Sequence, residues 1–144
     1  FVKQDSIVQK GTGWMNDDSA TAIKYECVNE KNIFCGDIII SKDKVVDIYM
    51  SVYYDLPLSL VIDELGEPEY ISYYDPHHFT GCDIALVWPQ IEIGVGIESE
   101  EKCPKPNTKI NPNIMVTSLS YTIYERFALV AEENKSPWPG FVQP

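Results

Sequence analysis

The chain has 144 residues, of which 44% are apolar and 12% aromatic; that length corresponds to one domain, and that composition lies well outside the range in which a chain cannot bury enough surface to fold. Eleven Lys and Arg stand against 22 Asp and Glu for a formal charge of -11, a field that repels phosphate backbones and anionic lipid and so argues against nucleic acid as a partner. A basic protein face, a neutral glycan or a divalent cation fits the charge, and so does simple solubility of an exported protein.

The sequence begins at Phe1, which is the expectation for a chain that has lost a secretory or lipoprotein leader. Phe1, Val2, Ile7 and Val8 ahead of Gly11 and Gly13 predict the last turns of a helix stopped by glycine. From Thr21 the period becomes two. Ile23, Tyr25 and Cys27 share one face, Ile33 to Ile40 forms a second run, and Ser41 to Lys44 is a polar turn. Val46, Ile48, Met50 and Val52 then alternate with Asp47, Tyr49, Ser51 and Tyr53, as expected of a half-buried strand.

Pro57 suits a first helical position, Leu58, Val61, Ile62 and Leu65 recur at helical spacing, and Gly66 with Pro68 gives a stop, so Gly66 is expected to take a left-handed cap. Tyr70 to Tyr74 is extended, a loop from Asp75 to Gly81 follows, and Cys82, Ile84, Leu86 and Trp88 alternate up to Pro89. After a tight turn at Pro89 and Gln90, Ile91, Ile93, Val95 and Ile97 point one way and Glu92, Gly94, Gly96 and Glu98 the other, with the two glycines marking either a bulge or a close approach. Ser99 to Asn113 is a Pro- and Asn-rich loop. Met115, Thr117, Leu119, Tyr121 and Ile123 predict a last strand, and Phe127 to Glu133 a short helix. Pro137, Pro139 and Gly140 preclude regular structure around Trp138 and Phe141. No stretch reaches the roughly 18 apolar residues that span a bilayer.

Taken together the elements predict an α+β domain over residues 1–136. Antiparallel β-meander sheet with short helices on one face is expected, in two helix-plus-meander halves. Residues 137–144 form an extended C-terminal arm. Four cysteines, Cys27, Cys35, Cys82 and Cys103, allow three disulfide pairings. Hairpin register favours Cys27 with Cys35 and Cys82 with Cys103. An even count suits an oxidising compartment; a zinc site, which lacks C-x-x-C spacing here, and buried free thiols are the other readings.

At L-S-L-V-I-D-E-L-G-E-P-E-Y, Leu58 to Tyr70, the chain resembles small bacterial envelope proteins, among them the outer-membrane assembly lipoproteins of the small lipoprotein A type, in which a short helix ending in G-x-P feeds a strand. The helix-plus-meander layout used twice also resembles β-lactamase-inhibitor-type domains. The resemblance implies a fold and an extracytoplasmic location, with no activity and no inhibitory residue carried over.

Candidate chemistry is sparse. His77 and His78 sit in D-P-H-H-F beside Asp75, but adjacent side chains of an extended loop diverge and no H-x-H spacing supports a metal. Asp17 and Asp18 after Asn16 lack the rest of a calcium loop. Asn134, Lys135 and Ser136 make an N-x-S triplet, and carboxylate pairs such as Glu92 with Glu98 or Asp63 with Glu64 carry little information among 22 acidic residues. No serine lies in a G-x-S-x-G context. No catalytic residue, metal or cofactor is therefore expected.

The aromatic residues say more. Tyr49, Tyr53, Tyr70 and Tyr74 alternate on strands flanking the central helix; on an exposed face they could stack on sugars or anchor a protein, and the alternative is that they pack under the helices. Trp138 and Phe141 on a proline-stiffened tail either dock in trans or fold back over the domain. The expectation is a non-catalytic extracytoplasmic module, in the periplasm, at the cell surface or secreted. Its partner is a protein, as in an accessory subunit of a larger surface or membrane complex. The alternative is a carbohydrate-binding or enzyme-inhibiting domain.

Overall fold

The computed structural model describes residues 7–10, 19–26, 34–74, 82–99, 103–105, 107–128 and 135–143. Cys27, the calcium-loop candidates Asn16, Asp17 and Asp18, the loop holding Asp75, His77 and His78, and Asn134 lie outside the described residues.

Among the described residues nine strands form one antiparallel sheet. They are β1 (Ile7–Lys10), β2 (Thr21–Glu26), β3 (Phe34–Ser41), β4 (Lys44–Ser51), β5 (Tyr70–Tyr74), β6 (Cys82–Trp88), β7 (Ile93–Ser99), β8 (Val116–Thr122) and β9 (Lys135–Ser136). The order across the sheet is β1-β2-β3-β4-β8-β7-β6-β5-β9. Two up-and-down meanders, β1 to β4 and β5 to β8, thus meet through their last strands. The helices are α1 (Leu58–Leu65) and α2 (Tyr124–Phe127). With eight and four residues of helix beside nine strands the fold is mostly β, which keeps the expected antiparallel meander and corrects the expected α+β balance.

Three elements differ from the sequence reading. Ile7 and Val8 belong to a strand paired with Ile23 and Lys24 rather than to a helix, because two apolar pairs separated by polar residues carry no period that could tell one from the other. A helical turn at Tyr124–Phe127 starts three residues before the expected Phe127 to Glu133, of which residues 129–133 lie outside the described residues, and its N-cap is the extended residue Ile123. At the start of β8 the inward apolar residue is Val116, 2% exposed, while Met115 just before the strand is 44% exposed. A register shift between Gly96 and Ile97 sets Val116 opposite Ile97, and such a bulge exchanges the faces of the residues beyond it.

Cross-strand partners share a face, and two apolar rows run across the seam. Ile23, Ile38, Ile48, Tyr121, Ile93 and Trp88 are successive partners from β2 to β6. Met50, Leu119, Val95, Leu86 and Ile71 form the next row from β4 to β5. Over the second meander this face is closed by α1, whose Leu58 and Val61 join Ile71, Ile84, Leu86, Trp88, Val95, Ile97 and Val116 in the main core. The alternation Cys82, Ile84, Leu86 and Trp88 is fully inward, at 0 to 6% exposure.

The helix is held at both ends by the chain rather than by side-chain caps. Pro57 at the N-cap is extended and has no polar side chain, so the first helical amides find other acceptors: Leu58 N donates to the Ile114 carbonyl and Ser59 N to the Pro112 carbonyl, both at 2.9 Å. Gly66 ends the helix with its amide on the Ile62 carbonyl at 2.8 Å. Its φ of 78° and ψ of -175° are not the expected left-handed cap but a more extended conformation that is essentially confined to glycine. The Trp88 indole N-H donates to the Gly66 carbonyl at 3.1 Å, tying the exit of α1 to β6.

A disulfide joins Cys82 and Cys103 with Cα atoms 4.8 Å apart, pinning the connection before β8 to the start of β6 as the hairpin register predicts. Cys35 is also disulfide-bonded; its expected partner Cys27 is not among the described residues. The C-terminal segment is extended, and it is folded back. Trp138 and Phe141 pack against the main core and meet edge to face with centroids 5.3 Å apart. Ile110 N donates to the Gly140 carbonyl and Val142 N to the Ile110 carbonyl. Of the two readings of the segment, this is the one in which it folds back over the domain. Among the described residues no helix is long and apolar enough to cross a membrane.

Candidate functional site

The tyrosines singled out from the sequence do not converge. Tyr49 and Tyr70 lie on one row of the sheet face opposite α1, but Ser120, Gly94 and Val87 stand between them; four inter-strand steps of about 4.8 Å put them ~19 Å apart. The gap is filled. Phe127 of α2 brings its ring to 3.8 Å from where a side chain on Gly94 would begin, and the Tyr70 hydroxyl donates to the Phe127 carbonyl at 3.5 Å. Tyr70 is 6% exposed, with the Lys135 ammonium 5.1 Å from its ring centre. Tyr53 follows the end of β4 and is exposed. Tyr74 closes β5, and its side chain lies outside the description.

Electrostatics on the face opposite α1 are those of a closed seam. Asp47, 8% exposed, accepts from Thr122 Oγ1 at 3.2 Å, and its other oxygen lies 3.6 Å from Arg126. Asp37 stands beside Lys24 on β2. Burial pushes its carboxyl up from the ordinary aspartate value, against the opposing pull of Lys24 and Arg126. On the other face Tyr25 crosses Gly36 to donate its hydroxyl to the Tyr49 carbonyl at 3.0 Å. A side chain on Gly36 would run into that carbonyl and the phenol ring. Burial, and next the Asp37 charge, push the Tyr25 phenol up.

Among the described residues a concavity lies on the apolar face, beside α1. There a groove of about 560 Å³ opens between the helix and the sheet, a volume within the range of small-ligand and side-chain pockets. Its floor is Ile48 and Met50 of β4, Leu119 and Tyr121 of β8 and Ile93 of β7; its wall is Leu60, Val61 and Leu65 of α1 with Leu56 before them. Met50 is 45% exposed, Leu60 53% and Tyr121 38%, so three large apolar groups on three elements face solvent across one depression.

Polar groups at the groove are few and acidic. Glu64 contributes the one charged side chain of the lining. Glu92 holds the Tyr121 phenol in a hydrogen bond that, with the charges of Glu92 and Glu125, pushes that phenol up. The same Glu92 accepts from Tyr124 N at 3.0 Å. Ser120 lines the groove but turns its hydroxyl to the Gly94 carbonyl, 3.4 Å away. Such a lining desolvates apolar groups and offers a carboxylate to a cation.

Sequence reading missed this site, because its residues come from β4, β7, β8 and α1, which are distant in the chain. One signal was present. Leu60 lies off the Leu58, Val61, Ile62 and Leu65 stripe, so α1 carries an apolar residue that its own core does not use. Among the described residues no group of three or more His, Cys, Asp or Glu could hold a metal. No protein-family model, curated protein or solved structure matches the chain.

Proposed function

We propose that the chain is a non-catalytic extracytoplasmic interaction module that takes an apolar segment of a partner protein into the groove beside α1. The observation that carries this reading is the groove itself: Met50, Leu60 and Tyr121 exposed together over an apolar floor. The Cys82–Cys103 disulfide supports an oxidising compartment. The two meanders joined at β4 and β8, the second roofed by α1, support reading the fold as two related halves. Aliphatic walls favour a protein over a carbohydrate partner, since sugars need stacking rings together with several convergent hydrogen-bonding groups.

A photo-crosslinking residue at Leu60 tests the reading in the native host, with the same residue at Asp83, exposed on the opposite face, as control. A defined protein adduct from Leu60 that is absent from Asp83, and that Met50→Glu abolishes, is the expected result. Recovery of a small apolar molecule from the groove with no protein adduct would replace the interaction module with a carrier.

A further inference from the structure

Resting on that reading, we infer that the groove's occupant is an amphipathic helix with basic residues flanking its apolar stripe. Backbone chemistry excludes an added strand. The floor is made by β4, β8 and β7 in the middle of the sheet, where each strand is already paired on both sides, so a peptide laid there meets no free edge to bond. A segment buried against it must satisfy its own amides and carbonyls, which a helix does and an extended chain does not.

Dimensions agree. A helix is about 10 Å across, and β4 with β8 spans two strands of about 4.8 Å each. A second helix packs about 8 to 10 Å from α1, which places it over Ile48, Met50 and Leu119 with Leu60 on its flank.

The molecule itself shows what this face accepts. Over the second meander it is covered by α1, with Leu58, Val61, Ile62 and Leu65 at helical spacing turned to the core. The apolar row does not stop there but continues through Ile48, Ile38 and Ile23 onto the first meander. A helix beside α1 would extend the same packing across the seam.

Charge selects the partner. Glu64 is in the lining, Glu92 holds the lining residue Tyr121, and the chain as a whole carries -11. A second copy of the chain would bring the same charge, whereas Lys or Arg beside the apolar stripe meets Glu64 with opposite sign and gains association rate from the field.

The probe is a synthetic peptide of about 15 residues with Leu at i, i+3, i+4 and i+7 and Lys on the flanks, long enough to hold a helix once bound. Controls are a scrambled peptide and one with Glu in place of Lys. Binding to the intact chain should raise the peptide's helicity and weaken about tenfold or more in Leu60→Glu, a substitution at an exposed position whose fold is checked by melting temperature. Glu64→Lys should weaken the Lys peptide and strengthen the Glu peptide. Equal binding of the scrambled peptide, binding without added helicity, or indifference to Leu60→Glu overturns the inference. So does sedimentation showing a dimer that Leu60→Glu dissolves, which assigns the groove to a second copy. A protein adduct at Leu60 with no binding of the helical peptide would overturn the helix and leave the interaction module standing; loss of both results removes both.

Discussion

Thr122 and Asp47 face each other across the join of the two meanders, the hydroxyl donating to the buried carboxylate at 3.2 Å. They are directly opposed in the β4–β8 register. A carboxylate removed from water depends on the hydrogen bonds it accepts. Thr122→Val keeps the shape and deletes one of them. It should lower unfolding stability by about 1 to 3 kcal/mol, read as a shift of the denaturation midpoint at unchanged slope. A change within error would mean that Asp47 is adequately held by its other partners.

Gly66 separates backbone strain from crowding. Nothing lies within 4 Å of a side chain built there, so the cost of substitution is purely conformational. At φ 78° and ψ -175° that cost is about 1 to 3 kcal/mol, and Gly66→Ala and Gly66→Val should lose similar amounts. A much larger loss for valine would show that the site is crowded after all.

Asp37 supplies a pH dependence whose sign follows from burial. Its carboxyl titrates above the ordinary aspartate value in the folded state, so the folded chain holds the proton more tightly than the unfolded one. The contribution to stability is therefore fully present below the unfolded value and is lost as pH rises through the folded value. Asp37→Asn should remove that fall and stabilise the protein at neutral pH relative to the wild type. Denaturant titrations at mildly acidic and neutral pH check this, and a mutant that is less stable at neutral pH would show that Lys24 and Arg126 outweigh burial.

Deleting Pro137 to Pro144 should lower the melting temperature by several degrees, because Trp138 and Phe141 leave the core and Ile110 loses its two backbone partners. An unchanged melting temperature would return the segment to the role of a free arm.

The parts of the fold that were legible share one property, which is that a single stretch of chain carries the whole signal. Cys82 to Trp88 alternates because one side of β6 is entirely core, and α1 is bounded by Pro57 and Gly66 where glycine and proline act locally. What escaped depends on neighbours. Alternation places Asp47 on an outer face, yet it is buried because Thr122 and Arg126 receive it. Alternation places Met50 inward, yet it is 45% exposed beside the groove. The bulge that turns Val116 inward is a property of two strands in register, which neither strand declares alone.

The strand order also governs how the chain reaches this structure. Within each meander every pairing joins consecutive strands. The pairings of β4 with β8 and of the two-residue β9 with β5 are remote, the Thr122 and Asp47 pair being 75 residues apart in sequence. The ordering entropy of that closure grows only slowly with loop length, as about (3/2)RT ln n, but it must be met before any contact at the seam repays it, and such non-local pairings slow folding. The two meanders are thus the units that zip early, and their union is the late, slow event. Until it occurs, β4 and β8 each present an open edge and an uncovered apolar face, so the stage of folding most prone to mispairing between chains is the one just before the molecule closes at its own centre.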